Sequence, residues 1–192
     1  MSSLTLNRMN KRESSLDPAM VGMIVFLMTE VMFFAGLIVA QSVLWSQGGS
    51  GWPPPGQPRL PVSLSLLNTV VLLGSGLCLA ESFRQLSWNK TLFRSSLFLG
   101  VLFLCVQGYE WVRLLGHGLT AKTSAYGGFF YAIVGSHALH AVGGLCVLLW
   151  VESRLRNEEF GESIMNYFVP SLFWFFVVGV WPVLFLTTYG LS

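Results

Sequence analysis

Five apolar runs divide the chain, near residues 19–45, 62–84, 92–115, 126–151 and 168–190. Each approaches or exceeds the ~20 residues that a helix needs to cross a hydrocarbon layer. Short polar connections separate them and leave no room for a separate soluble domain. Residues 46–61, SQGGSGWPPPGQPRLP, are expected to form a non-helical loop, because consecutive prolines remove backbone donors and clash with a helical turn. No repeat of fixed period is visible. The pattern predicts an all-α membrane protein: a polar N-terminal segment at 1–18, then a single domain at 19–192 folded as a bundle of five transmembrane helices.

Composition agrees with that pattern. Apolar residues make up 53% of the 192 positions and charged residues 10%, too few charges to coat a water-facing surface. A net charge of +2, scattered along the chain, gives no footprint for nucleic acid. The basic N-terminus resembles the start of a signal peptide, but the run that follows is too long and lacks a cleavage-like end, so it reads as a retained first span. With the N-terminus in the cytoplasm, Arg8, Lys11, Arg12, Arg84, Lys90, Arg94, Arg154 and Arg156 lie inside, and Arg59, Arg113 and Lys122 outside. That bias predicts a cytoplasmic N-terminus and an external C-terminus. Trp45, Trp52, Tyr109, Trp111, Tyr126 and Tyr189 then suit an outer aromatic belt, with Trp88 and Trp150 at the inner interface. Cys78, Cys105 and Cys146 sit in different runs without metal-ligand spacing and are expected to be small buried residues.

Candidate chemistry rests on the few polar groups that cannot reach an interface. Glu30 lies roughly 18 Å of helix into the first run, near mid-bilayer. An unpaired carboxylate there costs at least ~3 kcal/mol, so Glu30 must be protonated, paired or hydrated. His137 and His140, at i and i+3, share one helix face at similar depth. Glu110 lies in the outer third of the third run beside Gln107. A metal held by the two histidines would need Glu30 or Glu110 as a further ligand. Histidines satisfied by interhelical hydrogen bonds are the simpler reading. Gly74, Gly76, Gly135, Gly143 and Gly144 are expected to let helices approach closely. No Ser/His/Asp set, phosphate-binding glycine loop or CxxC is present, so no active site is expected within this chain.

From about Met23 to Tyr189 these segments resemble subunit III of the haem–copper, or cytochrome c, oxidases. FLMTEVMFFAGL is similar to the family's first shared helix, with its Ser/Thr-Glu pair before a Phe-rich turn. GWPPPGQPRLPVSLSLLNTVVLLGSG resembles its Trp-Pro-Pro loop and Leu-Asn-Thr helix. LGVLFLCVQGYEW resembles its Gln-x-x-Glu-aromatic helix, and AYGGFFYAIVGSHALHAVGG its Gly-x-His-x-Leu-His helix. The last helix departs: the family's aromatic-Trp-His-Phe-Val-Asp-x-Val-Trp is FWFFVVGVW here, so Phe175 replaces the histidine and Val178 the aspartate. Ser136 stands where the family favours Phe. These departures mark a divergent branch, such as one from an unusual supercomplex or a relative associated with nitric oxide reductase.

The resemblance implies the short five-helix form of an accessory subunit in an aerobic respiratory terminal oxidase. Such a subunit holds no haem or copper of its own, those centres lying in partner subunits. It packs against catalytic subunit I, joins subunit II and other respiratory-complex subunits, binds membrane phospholipid in a cleft, and supports proton uptake. Glu30, Gln107, Glu110, His137 and His140 would then form interhelical polar contacts beside the cleft, with Glu30 as a post tying the first span to the bundle. A prokaryotic plasma membrane is the expected location. Two readings stay open beside it: a subunit III-like partner of a quinol oxidase or nitric oxide reductase, and an autonomous transporter or proton channel using Glu30, His137 and His140 as a relay. A structural or assembly protein outside the oxidases is a third.

Overall fold

A computed structural model of the chain describes residues 17–48, 62–84, 89–122, 124–156 and 165–190, with 155–156 and 165–166 as backbone. It contains five long helices: α1 (Pro18–Gly48), α2 (Val62–Arg84), α3 (Lys90–Gly116), α4 (Ala125–Arg156) and α5 (Met165–Tyr189). All five are long and apolar enough to span a membrane. Several run past the expected spans, because backbone hydrogen bonding does not stop where the apolar side chains end. At the end of α1, Ser46, Gln47 and Gly48 are helical, which corrects the expected loop at 46–61. The reason is local: the first proline is Pro53, so nothing before it removes a backbone donor. The remainder of that loop, and residues 1–16, lie outside the described residues.

Local chemistry sets the helix ends. Asp17 caps α1 by accepting a hydrogen bond from Ala19 N at 2.9 Å, with Pro18 in the first helical position, where its missing N–H is not needed. Asn89 caps α3 through Thr91 N and Leu92 N. Ser124 caps α4 through Gly127 N at 3.1 Å. α3 ends in a Schellman turn: Leu119 N donates to Leu114 O, Gly118 N donates to Leu115 O, and Gly118 takes φ +85°. Leu114 and Leu119 are both buried beneath that turn.

α2, α3, α4 and α5 form a closed ring, each packing on the next and α5 returning to α2. Cross-helix pairs rise on one partner as they fall on the other, as in Ser65–Glu110 and Ser75–Ser96, so the ring runs up and down. α1 lies outside the ring and packs only on α4 and α5 among the described residues. It buries just Phe34 and Gln41.

In lipid, apolar burial gives little drive to helix association, so close packing and interhelical hydrogen bonds must supply it. Trp174 shows both. Its fully buried ring lies between Gly100 of α3 and Gly144 of α4, where added Cβ atoms would meet the indole at 2.8 and 2.7 Å. Its Nε1 donates to Ser75 Oγ at 3.0 Å, and Ser75 Oγ donates to Ser96 O at 2.9 Å.

Two expectations need correction. Cys105 and Cys146 are exposed on the outside of the bundle, and Cys78 is only half-buried. A membrane span is apolar on both sides, so an apolar run does not say which of its residues face inward. Tyr126 and Tyr189 are buried too, whereas Trp45, Tyr109 and Trp150 are exposed as a belt would require. Tyr189 is drawn inward by polar partners, described next. Trp52 and Trp88 lie outside the described residues.

Candidate functional site: two intramembrane polar clusters

The first cluster joins α1 to the ring. His140 Nδ1 lies 2.7 Å from the Ser136 carbonyl of its own helix, and Nε2 lies 2.8 Å from Glu30 Oε2. A carbonyl oxygen only accepts, so Nδ1 carries a proton. Nε2 then either accepts from a protonated Glu30 or donates to its carboxylate as imidazolium. Both forms share one proton and leave the pair neutral, which is how a carboxyl group persists in a bilayer. Phe33, Phe34 and Phe173 surround the His140 ring with centroids 5.1–6.1 Å away. Side-chain exposure is 16% for His140 and 18% for Glu30, so the pair sits at the edge of the bundle.

The second cluster lies inside the ring. Glu110 is fully buried and accepts from Ser65 of α2, from Gln107 Nε2 at 3.0 Å and from Tyr189 OH of α5 at 3.4 Å. Asn68 Nδ2 extends it, donating to Phe103 O at 3.2 Å and to Gln107 Oε1 at 3.4 Å. One carboxyl group therefore ties three helices. Beside it, Trp181 Nε1 donates to Thr69 Oγ1 at 2.9 Å, a further link between α5 and α2.

Glu30 and His140 thus come together, as do Gln107 and Glu110, while His137 joins neither cluster by a hydrogen bond. It is 1% exposed, its ring lies against Trp181 with centroids 4.7 Å apart, and Phe34 and Phe103 meet it edge-on. Gly76 and Gly144 lie at tight crossings, with Val178 and Trp174 within 2.8 Å of an added Cβ, whereas Gly74, Gly135 and Gly143 make contacts of 3.7 Å. Sequence reasoning missed Ser65, Asn68, Thr69 and Gly100. Small polar residues on an apolar helix carry no mark of what they face, although the spacing of Ser65, Asn68 and Thr69 at i, i+3 and i+4 signals one face. No group of three or more His, Cys, Asp or Glu side chains converges as a metal site among the described residues.

The family model for cytochrome c oxidase subunit III matches residues 12–192. The chain belongs to the cytochrome c oxidase subunit III family. A probable cytochrome c oxidase subunit 3 of Mycobacterium leprae is 35% identical over 174 residues, covering 88% of this chain and 86% of that protein. The cytochrome c oxidase subunit 3 of Corynebacterium diphtheriae is 36% identical over 180 residues, with the same coverage. That of Synechocystis is 31% identical over 180 residues, 90% of this chain and 76% of that protein. As a subunit III, the chain is a multi-pass membrane component of an oxidase complex.

Within this subunit III, Phe175 and Val178 of the last helix have apolar surroundings. Val178 is buried and packs on Gly76, whose added Cβ would meet Val178 Cγ1 at 2.8 Å. Phe175 is half-buried against the same core. The valine fills a niche that has no room for a side chain on α2.

Proposed function

We propose that this chain is the accessory subunit III of a proton-pumping aerobic terminal oxidase, packed beside a catalytic subunit I that carries haem and copper. The match of residues 12–192 to the cytochrome c oxidase subunit III family carries this reading. The chain itself contributes structure. Glu30–His140 fastens α1 to α4, and Glu110 ties α2, α3 and α5, so that a rigid apolar surface is presented to the larger subunits and to phospholipid. The lysine and arginine bias supports a cytoplasmic N-terminus and an external C-terminus in a prokaryotic plasma membrane.

Gentle extraction of the native membrane through an N-terminal tag tests the reading. Haem absorbance and larger oxidase chains should co-purify, and the haem type narrows the electron donor. A colourless five-helix protein without partners would overturn it and bring the transporter reading forward. Reporter fusions at the two termini test the orientation separately: a C-terminal reporter active only in the cytoplasm should stay silent.

A further inference from the structure

The interior of the bundle is unevenly satisfied. Among the described residues, five inward side chains toward the end where α1, α3 and α5 finish have polar atoms without a hydrogen-bond partner: Gln41 Oε1, Asn68 Oδ1, Trp111 Nε1, Thr188 Oγ1 and, deepest, both nitrogens of His137. All but half-buried Trp111 are buried, at 4% exposure or less. In the opposite half, interior hydroxyls are met: Ser75 by Ser96 O, Ser82 by Leu79 O and Ser171 by Tyr167 O. Among the described residues the exception there is Glu152 Oε2, on a carboxylate whose other oxygen holds Arg94 at 2.7 Å.

Buried polar atoms in native proteins are paired, with protein groups or with enclosed water, and the penalty for leaving one bare is greatest where the surroundings are hydrocarbon. One such atom is a local exception; five in the same half of one bundle share a cause. Their chemistry identifies the missing partner. Asn68 and Gln41 offer acceptors, Trp111 a donor, Thr188 both, and a neutral imidazole one of each. An acyl chain satisfies none of these, and an ion of either sign would suit only part of the set. Water both donates and accepts.

The side chains also stand in sequence. Asn68 is hydrogen-bonded to the Phe103 carbonyl, and the Phe103 ring meets His137 edge-on. Trp181, packed against the His137 ring, reaches back to Thr69. Phe103 and Trp181 therefore link Asn68 and Thr69 of α2 to His137 of α4, and Gln107 joins Asn68 to the Glu110 cluster. We propose that this half of the bundle encloses ordered water, with His137 as its deepest ligand and Asn68 Oδ1 as a second, supplied from the end where α1, α3 and α5 finish.

The test is a structure of the native assembly in lipid nanodiscs, at a resolution that shows ordered water. Discrete density about 3 Å from an imidazole nitrogen of His137, and likewise from Asn68 Oδ1, is expected. In His137→Phe the density at position 137 should vanish while that at Asn68 persists. Protein side chains closing on both imidazole nitrogens, an acyl chain in the space, or no density there would overturn the proposal in the unaltered protein, whether or not the variant folds. Failure here would leave the oxidase reading untouched, since haem co-purification decides that separately.

Discussion

Gly100 shows how much one hydrogen atom in place of a methyl can matter. An added Cβ would lie 2.8 Å from both Trp174 Cζ2 and Leu145 Cδ2, and the indole cannot retreat because Gly144 bounds it and Ser75 holds its N–H. Gly100→Ala should destabilise the subunit by about 1–3 kcal/mol through overpacking. Gly36→Ala, with open space around the added carbon, should be neutral or slightly stabilising. Thermal unfolding of the purified assembly, followed by loss of this subunit, separates the two. For Glu30 and His140, a double-mutant cycle with Glu30→Ala and His140→Ala should give a coupling of about 0.5–3 kcal/mol. Additive losses would show that the two side chains do not stabilise each other. Glu30 announced itself in the sequence as a lone acid in an apolar run, and its partner lay within a short list of intramembrane histidines. Gly100 did not, because its role depends on a tryptophan 74 positions away in the chain.

Among the elements, α1 is the least anchored. Among the described residues it rests on α4 and α5 alone and buries one large side chain, Phe34, which meets the rings of His137, His140 and Phe176. Phe34→Ala should loosen α1 from the ring at a cost of about 3–5 kcal/mol. Cross-linking of cysteines placed at Phe26 and Phe173, whose native rings are 5.6 Å apart, by a flexible bifunctional maleimide should then be less efficient. Met32→Ala, on the exposed face, should leave the cross-link unchanged. In α5, Val178→Asp would push a carboxylate into the niche against Gly76 and should prevent stable assembly, as judged by recovery of this subunit with its partners. Adding Phe175→His, one turn earlier, should recover part of the loss by giving that carboxylate a partner at i, i+3. The five helices were legible from run length alone, whereas their inner faces were not, because these spans are apolar nearly all round.

At the scale of the molecule, a four-helix ring is held by small-residue crossings and by one buried carboxyl group that accepts from α2, α3 and α5. Glu110→Leu would strand Ser65, Gln107 and Tyr189 without their acceptor and should cost about 1–3 kcal/mol for each that stays unpaired. Glu110→Gln keeps an acceptor oxygen and should cost less. Melting of the assembly, and its oxygen consumption after mild heating, compare the two variants. Equal stability of the Leu variant and the unaltered protein would mean that the cluster does not hold the ring together.

The sequence by itself determined the class of the protein, the number of its spans and its family. Each of those depends on local length, composition or ordered motifs, which are written directly along the chain. It also singled out the buried acids and histidines, since charge in hydrocarbon is conspicuous wherever it stands. Tertiary structure alone decided the pairings: Glu30 with His140 rather than His137, Tyr189 turned inward to Glu110, Trp174 seated between two glycines, and Cys105 and Cys146 facing outward. The physical reason is that a bilayer removes the contrast between inside and outside on which amphipathic patterns depend. Which face of an apolar helix turns inward is then set by shape and hydrogen bonding between segments far apart in the chain.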